Sequence, residues 1–314
     1  MRSLHFVERE LDLREPVPRI GYGPDLAALE PERPSAVLVS LATGGAPSKL
    51  RRIDLITGAV QRGESIRGSL RDAWSADDLW VLATYALHRV SRDLSVKETF
   101  KVPHFLHRLV PLLSARFLAL SQRERKRTSV LSLRSATLQV VTMPTPDISV
   151  DHDDGCVVLS FWSGEARGFD TDLKPTPDRR DLPLGLSAIQ FGREILFLRA
   201  TRETARNVTP VQPEVKWLYP TGVLAAFDPT GWTIVREAAI GAFDELVGVD
   251  AAARIIATDY ETRALALIDP KNLAIVARHS LRGKAVRVVQ AGPFAVVYRI
   301  RSGQLGAIDW SSST

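Results

Sequence analysis

The chain has 314 residues, 45% of them apolar and 25% charged, with a formal net charge of +5. This is an ordinary globular mixture with enough apolar material for a sizeable core, and the modest charge argues only weakly for an anionic partner. A lone cysteine, Cys156, excludes an intrachain disulfide, and no run approaches the roughly 18 uncharged apolar residues of a membrane span.

The first ten residues, Met-Arg-Ser-Leu-His-Phe-Val-Glu-Arg-Glu, carry charges where a signal peptide needs its apolar run, so the expected setting is cytoplasmic. Seven short runs of apolar and β-branched residues then follow, each typical of a buried strand. They start at Ala36, Leu79, Phe117, Cys156, Ile195, Ile255 and Phe294, at intervals of 43, 38, 39, 39, 60 and 39 residues. Five of the six intervals lie near 40, the length of a four-stranded repeat unit. One insertion at about 201–220 accounts for the sixth. Each run is read as the second strand of its unit.

A third strand follows each run, and in five units it ends in an apolar residue and an aspartate: Asp54, Asp170, Asp228, Asp269 and Asp309. Ser91 and Ser132 stand there in the second and third units. Asp and Ser before Pro, Thr or Gly are turn chemistry, because the short side chain accepts hydrogen bonds from the turn's own N–H groups. These residues read as hairpin caps and not as catalytic acids. An outer strand comes next, at 59–66, 96–102, 137–143, 232–240 and 273–281. The fourth unit instead offers Lys174-Pro-Thr-Pro-Asp-Arg-Arg, and proline is tolerated on an edge strand.

The final unit lacks an outer strand, while Leu4–Leu13 is strand-like and precedes the first complete unit. Pairing the two predicts a ring closed by both ends of the chain, with no unprotected terminal sheet. The period and turns resemble the seven-bladed β-propellers of the WD40-like and YVTN-like superfamily over essentially the whole chain. The Gly-His and Trp-Asp signature of WD40 repeats is absent. The expectation is an all-β, seven-bladed propeller of four-stranded blades in a single domain, 1–314. A rival reading makes 79–90 and 243–257 helical and the fold α/β.

Catalytic signatures are missing: there is no Gly-x-Ser-x-Gly elbow, no phosphate-binding Gly-rich loop and no Cys-x-x-Cys. No cofactor and no metal are expected. In a propeller the connections between second and third strands share one face, and here they are rich in arginine and aromatic residues. Tyr85, Arg123, Arg125, Arg127, Trp162, Arg199, Arg202, Arg206, Trp217, Tyr260, Tyr298 and Arg299 form the expected partner-binding surface. Arginine and aromatic residues dominate interface energetics, and arginine pairs bidentately with carboxylate or phosphate. The leading expectation is a non-catalytic scaffold of a bacterial-style assembly that binds an acidic or phosphorylated protein. One alternative is a propeller lyase or hydrolase using His104, His107, His152 and Asp153 with a divalent ion. A nucleic-acid binder would instead need the basic side chains to form a continuous track.

Overall fold

The computed structural model describes residues 4–11, 26–28, 37–39, 48–68, 70–75, 78–103, 106–121, 127–152, 154–206, 214–283, 285–300 and 304–312. All regular structure among them is β, so 79–90 and 243–257 are strands and turns and not helices. No helix is long and apolar enough to cross a membrane among these residues.

In chain order, β1 (Leu4–Leu11) precedes the strands β2 (Leu26–Ala28), β3 (Val37–Val39), β4 (Ser48–Ile53) and β5 (Val60–Ile66). Next come β6 (Leu70–Ser75), β7 (Leu79–Ala83), β8 (Ala86–Val90) and β9 (Val96–Lys101). They are followed by β10 (Arg108–Leu112), β11 (Phe117–Ser121), β12 (Thr128–Ser132) and β13 (Thr137–Val141). The fourth group is β14 (Ile148–His152), β15 (Gly155–Ser160), β16 (Glu165–Asp170) and β17 (Pro175–Asp181). The fifth is β18 (Gly185–Phe191), β19 (Glu194–Arg206), β20 (Glu214–Asp228) and β21 (Thr233–Ala239). The sixth is β22 (Glu245–Val249), β23 (Ile255–Asp259), β24 (Ala264–Ile268) and β25 (Ile275–Ser280). The chain closes with β26 (Ala285–Gln290), β27 (Ala295–Ile300) and β28 (Leu305–Ser312).

The strands form a β-propeller of four-stranded antiparallel blades. Against the expected seven, six blades are contiguous stretches of chain, β2–β5 through β22–β25, and the remaining four-stranded sheet is a composite of β26, β27, β28 and β1. β1 lies antiparallel to β28 from Leu4↔Ser312 to Leu11↔Leu305. The innermost strands adjoin in the order β2, β6, β10, β14, β18, β22, β26 and back to β2.

Second strands such as β7 are buried on both faces, which is why they read as unbroken apolar runs: Leu79 to Ala83 are all buried. The outer strands β9, β21 and β25 alternate instead. Between neighbouring sheets lie separate apolar clusters. One joins Leu50, Ile66 and Val81 across the first two blades, and another joins Ile53 and Leu55 to Val289 and Ala307 of the composite sheet. Burying each such Leu, Ile or Val contributes about 1.5–3 kcal/mol, so the ring is held by side chains meeting between blades.

Asp54, Asp170, Asp228 and Asp269 do cap the turns after the third strands: Asp54 Oδ1 accepts the N–H groups of Ile56 and Thr57 at 2.8 and 3.0 Å, and Asp228 accepts those of Thr230 and Gly231. Each turn then places one residue in the left-handed region, and several of these are leucines (Leu94, Leu173 and Leu273) with φ of 67°, 61° and 57°. That conformation is unfavourable for a branched residue, and burial of all three leucine side chains offsets it. Asp309 differs from the other four. It lies inside β28 and pairs with Arg9 at 3.4 Å.

The insertion is not a loop over the residues described. Its flanks continue the blade ladder as one long hairpin, paired from Ala200↔Pro220 to Arg206↔Glu214. A register shift between Leu198 and Ala200 separates this extension from the blade proper.

Candidate functional site

Antiparallel pairing places the start of each innermost strand beside the end of the second strand, as in Leu70↔Ala83 and Gly185↔Arg199. The starts of the innermost strands therefore share one edge of the ring with the connections read from sequence as the binding face, and with the long hairpin.

A cavity of about 430 Å³ opens on this edge. Asp72 (β6), Arg108 (β10), Ser187 (β18), Glu245 (β22) and Arg287 (β26) line it from the innermost strands, with Trp162, Leu218 and Tyr260 around its mouth. A second cavity of about 360 Å³ shares Asp72, Arg108, Glu245 and Arg287 and continues to Val249 and Gln290. Five innermost strands line the second cavity, so the two together form an axial channel constricted by four charged side chains.

Each carboxylate of this channel has a defined partner. Glu245 accepts Arg287 Nη1 at 3.0 Å and the Tyr260 hydroxyl. Asp72 accepts the N–H of Ala73 at 2.9 Å and, across to the next blade, that of Leu109 at 2.8 Å. Ser187 makes the equivalent inter-blade contact, accepting the Leu246 N–H at 3.1 Å. Asp147 and Asp244 also repeat one device: each accepts the N–H of the residue just beyond a second strand, Phe161 at 2.7 Å and Tyr260 at 2.9 Å.

Burial pushes the Asp72 carboxyl above its ordinary 3.8, against the opposing pull of the Leu109 N–H and the Arg108 and Arg287 charges. Burial also raises Asp244. The Tyr260 hydroxyl is raised first by burial and then by the Glu245 charge, so it is a proton donor throughout the neutral range. For a carboxyl raised on folding, the folded state holds the extra proton from pH 3.8 up to the folded value. Its stabilising contribution is complete below 3.8 and is lost as pH rises from there through the folded value. Asp72→Asn should flatten the fall in unfolding free energy above pH 3.8, measured by urea titration at successive pH values. An unchanged pH dependence would remove this reading of Asp72.

The sequence-derived binding residues divide into four groups. Tyr85, Arg127, Trp162, Arg202 and Tyr260 reach the shared edge, with Tyr85 46% exposed. Arg202 donates to the Trp162 carbonyl at 2.5 Å, and its guanidinium lies 5.5 Å from the Trp162 ring centre. Arg199 is neutralised by Glu237 at 2.9 Å. Arg123 and Arg125 lie outside the described residues, as do the side chains of Arg206 and Trp217, whose backbones sit on the hairpin.

Tyr298 and Arg299 are corrected: they are 4% and 5% exposed, within β27, which runs on to Ile300. The Tyr298 ring lies over Gly306, where a Cβ would fall 2.3 Å from it, and its hydroxyl donates to Glu8 of β1. The edge is also not uniformly basic. Asp72, Asp147, Asp244 and Glu245 stand at the starts of innermost strands, which the connections alone did not include.

The two described histidines of the metal-lyase alternative do not meet. His107 borders the channel mouth, whereas His152 ends β14 at the opposite edge, edge-on to Trp232 with ring centres 6.5 Å apart. His104 and Asp153 lie outside the described residues. Among the described residues no three His, Cys, Asp or Glu side chains gather as a cation site. Asp151 accepts the Ser114 N–H at 2.9 Å, and burial raises the Cys156 thiol to about 11.

No family model matches the chain, and no curated protein matches it. Solved structures do. The Pan2 WD40 domain of Neurospora crassa superposes with a TM-score of 0.66 at 9% identity, over 98% of this chain and 96% of that one. Virginiamycin B lyase from Staphylococcus aureus gives 0.67 at 9% identity, over 98% and 99%. A chain of the mitotic checkpoint complex gives 0.67 at 10%, over 94% and 90%. At these identities the likeness establishes the propeller fold alone, shared by a WD40 domain, a lyase and a chain of a multi-protein complex.

Proposed function

We propose that this chain is a non-catalytic binding platform, a seven-bladed ring with the composite sheet as its seventh blade, that holds a protein partner on the hairpin edge. The observation that carries this reading is the β19–β20 hairpin. It extends one blade beyond the ladder it shares with β21, which ends at Val223↔Ala239, and it is braced to the neighbouring blade by Arg202 on Trp162. Long ordered excursions in compact folds are usually functional. The exposed Arg127, Arg202 and Tyr219 supply the arginine and aromatic character of an interface for an acidic or phosphorylated segment. Propellers of this shape occur in multi-protein assemblies, the mitotic checkpoint complex among them.

The test is capture and reconstitution. A partner retained by the full chain is identified by mass spectrometry, purified and titrated against the chain and two variants. Affinity should fall at least about tenfold both on replacing 201–219 with a two-residue turn and in Arg127→Glu/Arg202→Glu, the range of interface arginine losses. Equal affinity in all three proteins would end the hairpin-edge reading.

A further inference from the structure

The four-charge constriction of the axial channel is a second candidate surface, built on the innermost strands, with the hairpin reaching its mouth at Leu218. Its hydrogen-bonding capacity is unequally used. Glu245 and Asp72 accept two bonds each, and Asp244 and Asp147 accept backbone N–H groups, so the carboxylates are already engaged. The arginines are not. Arg287 spends one Nη1–H on Glu245, and its buried Nε–H has no acceptor among the described residues. Arg108 donates to the Asp147 carbonyl at 3.2 Å, and no described carboxylate lies within ion-pairing distance of it. Asp72 interacts electrostatically with both guanidiniums, yet it forms an ion pair with neither. Both arginines line both cavities.

A buried donor without an acceptor is costly, and a guanidinium fork is matched best by a planar or tetrahedral oxyanion. We propose that the channel binds an oxyanion, a carboxylate or phosphate group, on Arg108 and Arg287. Asp72 and Glu245 act as positioning residues that hold the neighbouring blade and the Arg287 fork in place. The oxyanion can come from a free small molecule, for which about 430 Å³ is an adequate pocket, or from an acidic side chain of a bound protein.

The experiment follows thermal unfolding of the full chain with inorganic phosphate, succinate or a hexaglutamate peptide, each against sodium chloride at matched ionic strength. Phosphate or succinate at about 100-fold over its Kd should raise the midpoint by about 3 °C or more. That shift should be lost in Arg108→Gln and kept in Arg127→Glu, an exposed edge residue that lines neither cavity, which separates this site from the edge. If Arg108→Gln does not fold, Arg108→Lys should fold and weaken binding at least about tenfold, since a single ammonium cannot reproduce the fork. A response to hexaglutamate alone, lost in the Arg108 variant, supports the site and assigns the oxyanion to a partner. No response beyond chloride, or an equal response in the Arg108 variant, overturns the proposal.

Discussion

Removing residues 1–11 should lower stability by at least about 4–5 kcal/mol, the class of effect seen when a whole structural element is lost. β1 is the fourth strand of the sheet that joins the last blade to the first, with eight register pairs to β28. Without it, β28 presents a full row of unpaired N–H and C=O groups, a template for edge-to-edge association. The side chains add to the effect. Phe6 stacks on His279 with ring centres 4.9 Å apart, and Glu8, 7% exposed, accepts the Tyr298 hydroxyl and the Arg282 N–H at 3.1 Å. The truncated chain should melt far lower and run as oligomers on size exclusion, with a peptide of residues 1–13 partly restoring both. An unchanged melting midpoint in a monomeric truncation would refute this role for β1.

Glu245→Ala should cost about 3 kcal/mol, because removing one partner of a largely buried ion pair leaves the other charge uncompensated. Arg287 would then have no described carboxylate at ion-pairing distance, and the Tyr260 hydroxyl would lose its acceptor. The Glu245 and Arg287 side chains are 18% and 28% exposed, so channel water relieves part of the loss and places it at the low end of that range. Tyr260→Phe should cost about 1 kcal/mol, the worth of one ordinary hydrogen bond. The two substitutions should be non-additive, since they break the same network. Urea unfolding of both single variants and the double variant measures this. A Glu245→Ala protein within about 0.5 kcal/mol of wild type, the range of an inconsequential surface change, would show the network to be decorative.

Most of the scaffold was legible because second strands such as β7 and β15 are buried on both faces and most third strands end in a capping residue. Leu79 to Ala83 could be read as a strand once its spacing from the other runs was counted, and Asp54 or Asp228 as a turn from side-chain length alone. The channel was not legible in that way. Its charges sit at the starts of innermost strands, where Arg71-Asp72, His107-Arg108 and Asp244-Glu245 look like polar flanks. Only alignment of the units at that position, one blade apart, exposes the recurrence. Tyr298 and Arg299 were misplaced because β27 outlasts its apolar run, and Gly306 opposite makes room for the tyrosine ring. The hairpin was taken for a loop because an insertion breaks the period. Its residues nevertheless pair across two strands, Thr201 with Tyr219 and Glu203 with Trp217.

The channel and the hairpin edge exist only if the two ends of the chain are joined in one sheet, and a disulfide trap tests that directly. Val7 and Asp309 are register partners on β1 and β28, with Val7 half exposed. Directly opposed strand residues have Cα atoms about 4.5–5.5 Å apart, within disulfide range. Val7→Cys/Asp309→Cys should therefore oxidise to a cross-linked monomer and melt higher than its reduced form. Failure to cross-link, or cross-linking only between chains, would contradict the closed ring.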